Sequence, residues 1–140
     1  MEEKEIEKYL IDFVLEFGTK MNELERGIVE KDENNPGKDY FEEFRRKYLP
    51  IFEQYCTDKK RVYGGKADSY GIPTRYDGIE NSIEKTTTIK NRNRAEVYFK
   101  TDNDFEAEYL FVVLRKNNLW RIDNVKYKWW KNEKWKSQIL

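Results

Sequence analysis

The side chains able to move a proton, attack a carbon or hold a metal are few in this chain of 140 residues. It has no histidine, which removes the commonest general base and the commonest metal ligand together. Asp77 and Glu80 lie in a stretch rich in glycine and tyrosine, where solvated loop acids are the simpler reading than catalytic bases. Asp123 sits beside Ile122 in a strand-forming run, so alternation points it outward unless the backbone bulges there. Cys56 is the only cysteine and has no histidine to activate it, so packing is its expected role. A lone cysteine also forbids an intramolecular disulfide and fits a reducing compartment.

Two further patterns look chemical and are not. Asp102, Asp104, Glu106 and Glu108 alternate as calcium ligands do, but the glycine is missing and Val113 stands where the distal Glu belongs. The run Tyr63-Gly64-Gly65-Lys66 lacks the spacing of a phosphate loop and reads as a turn. No catalytic residue, cofactor or metal site is expected. The tail 126–138 interleaves lysines with Trp129, Trp130 and Trp135, a combination that can hold single-stranded nucleic acid. A net charge of zero and an acidic first half count against that, and packing or a protein interface is preferred. Residues 1–58 carry a net charge of −7 and residues 59–140 a net of +7. Opposed patches of this size either steer a charged macromolecule or simply attract each other.

The positioning elements are plainer. Residues 3–31 place Ile6, Leu10, Phe13, Phe17, Met21, Leu24 and Ile28 on one helical stripe, with Gly18 marking a bend or a close packing partner. A second helix, about 38–58, has a mostly aromatic stripe, and Pro50 predicts a kink or split near Tyr48. Residues 59–80 break periodicity yet hold Tyr63, Tyr70 and Tyr76, so a folded loop over the mouth of a sheet is expected. Strands follow at 82–91 and 94–100, then two long ones within 105–130 joined by a turn at Lys116, Asn117 and Asn118. The third strand is apolar on both parities, so Leu110, Val112 and Leu114 need a cover: a partner, a second copy of the chain in a homodimer, or the C-terminal segment. In the last strand Trp120 and Ile122 share one parity and Val125, Tyr127 and Trp129 the other, which predicts a β-bulge near Asp123–Asn124. Helices first and a strand meander after is an α+β pattern in one domain over 1–140. No apolar run approaches the ~20 residues needed to cross a bilayer, and no export segment stands at the N-terminus.

This order, closing on FVVLRKNNLWRIDNVKY with its run Trp120-Arg121-Ile122-Asp123, resembles the nuclear transport factor 2-like, or cystatin-like, fold. Segments 51–65, 69–80, 96–129 and 132–140 resemble bacterial immunity proteins of that fold, above all in the run at 56–60 and the tail from Lys134 to Leu140. The resemblance implies helices packed in the concave face of a curved antiparallel sheet. It also implies a cytoplasmic protein that binds and neutralises a cognate polymorphic toxin without turnover. Enzymes of the fold, such as isomerases and dehydratases, hold an Asp or Asp–His pair inside the cone, and a small-molecule-binding or enzymatic cone is the alternative. The loop and tail residues Tyr63, Tyr70, Arg75, Tyr76, Asp77, Trp130 and Trp135 are the candidate partner contacts, since Tyr, Trp and Arg anchor interfaces.

Overall fold

The structure, a computed structural model, describes residues 2–61, 70–130, 133–138 and 140. Helix α1 runs Glu3–Asn34 and buries Leu10, Val14, Phe17, Met21 and Ile28, the expected stripe shifted by one residue at Val14. It continues three residues beyond the expected end and stops before Pro36, which disfavours helical backbone in the residue preceding it. Gly18 is a packing site: a Cβ there would lie 3.0 Å from two side-chain atoms of Ile79.

Helix α2, Phe41–Tyr55, is shorter than expected and unbroken. Asp39 accepts a hydrogen bond from the Phe41 N–H at 2.9 Å and so fixes where the helix begins. The split anticipated at Pro50 does not occur. Pro50 and Arg46 both lie on the exposed side, so water can solvate the Arg46 carbonyl that loses its N–H donor.

Five antiparallel strands form one sheet in chain order: β1 (Glu84–Asn91), β2 (Arg94–Lys100), β3 (Glu108–Lys116), β4 (Leu119–Lys128) and β5 (Lys136–Ser137). The first strand begins later than expected, leaving Ile83 exposed, while the Thr87 hydroxyl donates to the Glu7 carbonyl at 2.9 Å and ties β1 to α1. Asn117 and Asn118 have φ of 54° and 62°, the left-handed pair that a two-residue hairpin turn with the sheet's own twist requires. Between β3 and β4 the register passes from Val112↔Asn124 to Val113↔Ile122, so Asp123 is the extra residue. This is the anticipated bulge. It returns Trp120, Ile122 and Val125 to one buried face and curls the sheet.

The helices fill that concavity. Ala95, Val97, Phe99, Tyr109, Phe111 and Val113 from the inner face meet Phe17, Phe44, Tyr48 and Tyr55 in one core cluster. Phe111 stands edge-on to Phe99 and Phe17, with ring centroids 5.7 Å and 6.5 Å apart. Such edge-on contacts add about 0.5–1.5 kcal/mol each to simple area burial. On the outer face Val112 is only 4% exposed, flanked in register by Glu96 and Asn124. The C-terminal segment covers one end of that face, where the Trp135 ring stands edge-on to Tyr98 at 6.4 Å.

Candidate functional site

A segment with little regular structure, Tyr70–Asn81, closes one end of the cone, and the polar edge of α1 holds its backbone. The Asn22 side chain donates to the Tyr76 carbonyl at 2.7 Å and accepts from the Tyr76 N–H at 3.3 Å. One turn on, the Glu25 carboxyl accepts the Gly71 and Arg75 N–H groups, each at 3.2 Å. Glu80 receives Asn22 and Arg26, both at 2.8 Å. Asn22 and Glu25 are buried beside Met21 and Ile28. Sequence reasoning passed over both; the available signal was a polar pair on the apolar stripe next to Gly18.

Between this segment and the end of β4 lies a cleft of about 240 Å³. Glu25, Thr74 and Arg75 line it together with Tyr70, Tyr127, Trp129 and Gln138. Burial pushes the Glu25 carboxyl above the usual range; the Arg75 charge and the two backbone N–H groups offset this only in part. Gln138 donates to the Arg75 carbonyl at 3.0 Å, so the C-terminal segment helps to fix the rim. The Arg75 guanidinium lies over the Tyr48 ring, 5.7 Å from its centroid.

Aromatic rings continue from both sides of the cleft. Tyr70 packs on Phe41 and Phe44 at 4.9 Å and 5.3 Å. On the other side Trp129 touches Tyr127 and stacks on Phe105 at 4.8 Å, and Phe105 meets Trp130 at 6.2 Å. Trp130 has φ of 67°, a conformation costly for a bulky side chain, and its N–H bonds the Phe105 carbonyl at 2.9 Å. The turn leaves the Trp130 ring 48% exposed on the rim.

The residues singled out from sequence therefore divide. Tyr70 and Arg75 come together at the cleft, and Trp130 stands on the adjoining rim. Tyr76 is 1% exposed and packs in the core against Phe17, Tyr109 and Phe111, so it supports the segment and presents no surface. Asp77 is tied inward: its carboxylate accepts from Asn103 at 2.9 Å and its carbonyl from the Tyr109 hydroxyl at 2.7 Å. Trp135 lies on the opposite side of the sheet, with the Lys128 ammonium 4.9 Å from its ring centroid. Tyr63 lies outside the described residues.

The candidate acids and thiol are occupied structurally. Asp123 accepts Thr57 Oγ1 and Lys59 Nζ, both at 2.9 Å, and fastens the chain after α2 to β4. Partial burial opposes ionisation there, but the Lys59 and Thr57 hydrogen bonds outweigh it and hold the carboxyl below the usual range. Burial pushes the Cys56 thiol up to about 12, which leaves negligible thiolate at neutral pH. Glu108 accepts the Tyr98 hydroxyl and faces Lys128 at 3.8 Å, while Asp102, Asp104 and Glu106 are exposed. Among the described residues no group of His, Cys, Asp or Glu could hold a metal ion, and no helix is long and apolar enough to cross a membrane.

Two helices followed by a curved antiparallel sheet are the arrangement that the resemblance implied. A family model described as NTF2 fold immunity protein (Imm-NTF2) matches residues 9–138, which takes in every cleft residue named above. No curated protein and no solved structure matches the chain. With 130 of its residues under that single family model, the chain belongs to the NTF2 fold immunity protein family.

Proposed function

We propose that this protein neutralises a cognate bacterial toxin in the cytoplasm by stoichiometric binding, without turnover, and that the cone mouth is its contact surface. The observation that carries the choice of surface is the pair of aromatic clusters flanking the cleft, Phe41 and Tyr70 on one side and Trp129, Phe105 and Trp130 on the other. Rings held by their neighbours lose little freedom on binding, which is why Tyr and Trp dominate interface energetics. Binding without chemistry also agrees with the absence of histidine from the sequence and with the structural occupation of Asp77, Glu80, Asp123 and Cys56.

The second reading, a small-molecule or enzymatic cone, draws support from one observation: Glu25 is a buried carboxyl with a raised pKa beside a cleft. Against it, each Glu25 oxygen already holds a backbone N–H. The cleft is also smaller than the roughly 300–1,000 Å³ usual for small-molecule sites.

Titration calorimetry of the purified protein against the toxin encoded beside it tests the proposal. One-to-one binding is expected, with Tyr70→Ala and Arg75→Ala each weakening it by more than about tenfold, the scale of an interface hot spot. Trp135→Ala, on the far side of the sheet, should leave affinity unchanged. Unchanged affinity in both mouth variants would move the contact elsewhere, and absence of binding would overturn the proposal. Sedimentation of the free protein decides whether Leu110, Val112 and Leu114 pair two copies.

A further inference from the structure

The cleft at the cone mouth combines three features that point to one kind of visitor. One wall is Glu25, a residue 3% exposed, whose carboxyl accepts two backbone N–H groups at 3.2 Å and no further hydrogen bond among the described residues. A carboxylate has about four lone-pair positions, so two remain for a further donor. Thr74, also 3% exposed and also lining the cleft, has a buried hydroxyl with no hydrogen-bond partner among the described residues. Such an orphan is uncommon in a folded interior and calls for an explanation. The other walls include the rings of Tyr70, Tyr127 and Trp129, whose faces attract cations, together with Gly71, Pro73, Arg75 and Gln138.

Resting on the immunity reading above, we infer that the cleft receives a lysine or arginine side chain of the toxin, its cationic head on Glu25 and Thr74 and its stem between the rings. Charge selects this occupant. An anion would meet a buried carboxyl, and an apolar group would leave the Thr74 hydroxyl unpartnered and the remaining Glu25 lone pairs unused. The nearest cation, Arg75, also lines the cleft, with its guanidinium over the Tyr48 ring 5.7 Å from the centroid. The size also fits: about 240 Å³ suits one long side chain better than a metabolite.

The test uses the intact protein and blocked amino acids, so it does not depend on the toxin being in hand. N-acetyl-lysine methylamide and N-acetyl-arginine methylamide are titrated while the indole N–H resonances of the tryptophans are followed. N-acetyl-norleucine methylamide serves as the neutral control and N-acetyl-glutamate methylamide as the anionic one. Saturable shifts at Trp129 with the cations, at least about tenfold tighter than with norleucine, are expected from one desolvated cation–ring contact joined to an ion pair. Glu25→Gln should abolish the preference for cations. Should that variant fail to fold, Thr74→Val, which keeps the shape, should reduce it. Equal binding of norleucine, tighter binding of glutamate, or no shift at Trp129 would overturn the inference. In the toxin titration, full affinity with Glu25→Gln alongside a loss with Tyr70→Ala would reject the cation site while leaving the immunity reading standing.

Discussion

Replacing Tyr76 by phenylalanine should make the protein more stable. The Tyr76 ring packs against Phe17 and Phe111 at 5.5 Å and stands edge-on to Tyr109 at 5.9 Å, and phenylalanine keeps all of these contacts. Its backbone is held by Asn22 through both N–H and carbonyl, which the substitution does not touch. What changes is the hydroxyl, buried and without a partner among the described residues. An unpaired buried hydroxyl costs roughly 1–3 kcal/mol in lost hydration. Set against a small void where the oxygen was, a net gain of about 1 kcal/mol is expected. For a domain of this size that raises Tm by about 3–5 °C. Urea unfolding followed by far-ultraviolet circular dichroism is the assay, with the midpoint rising and the slope m unchanged. A fall in the midpoint would mean that the hydroxyl is satisfied in solution and that the core is wetter than its packing implies. Because the ring lies in the core, toxin affinity should be unaffected.

Gly18→Ala trades about 1 kcal/mol of helix propensity against overlap with Ile79, where overpacking typically costs about 1–3 kcal/mol. A net loss of about 1 kcal/mol is expected, recovered in the double variant with Ile79→Val; an increase in stability from Gly18→Ala alone would show that Ile79 yields freely. Asp123 titrates below its ordinary value when folded, so its contribution exists above the unfolded pKa and disappears as pH falls through the lower folded one. The Tm gap between wild type and Asp123→Asn should therefore be constant near neutrality and close below about pH 4. It should correspond to no more than about 1 kcal/mol, because Lys59 is largely solvated. Cys56, 5% exposed, should resist a thiol reagent at pH 8 in the native protein and react at once in denaturant. Reaction in the native state would mean that the α2–β4 junction opens readily.

The scaffold was legible because local rules wrote it. The bulge at Asp123 followed from a change in parity between Ile122 and Val125, since a pleated strand cannot otherwise keep both on one face. The clean alternation of Ala95, Val97 and Phe99 marked β2 to the residue. The split read from Pro50 did not occur, because the cost of a proline in a helix depends on what its missing donor would have bonded, and on an exposed face water substitutes. Tyr76 misled for a related reason. A tyrosine in a loop reads as surface until the loop's backbone is pinned under a helix by Asn22, a residue more than fifty positions away.

By itself the chain's sequence determined the two long helices, the four long strands, the curl of the sheet, and the poverty of catalytic groups, but neither the short helix Ile79–Asn81 nor the edge strand Lys136–Ser137. What it determined depends on periodicity and residue type, which act over a few neighbours. The tertiary structure alone decided which tyrosine is buried and which exposed. It also placed Glu25 of the first helix beside Thr74 and Trp129, and set Trp130 and Trp135 on different sides of one sheet. Those outcomes come from contacts between residues far apart in sequence, and the free energy that fixes them belongs to the assembled core.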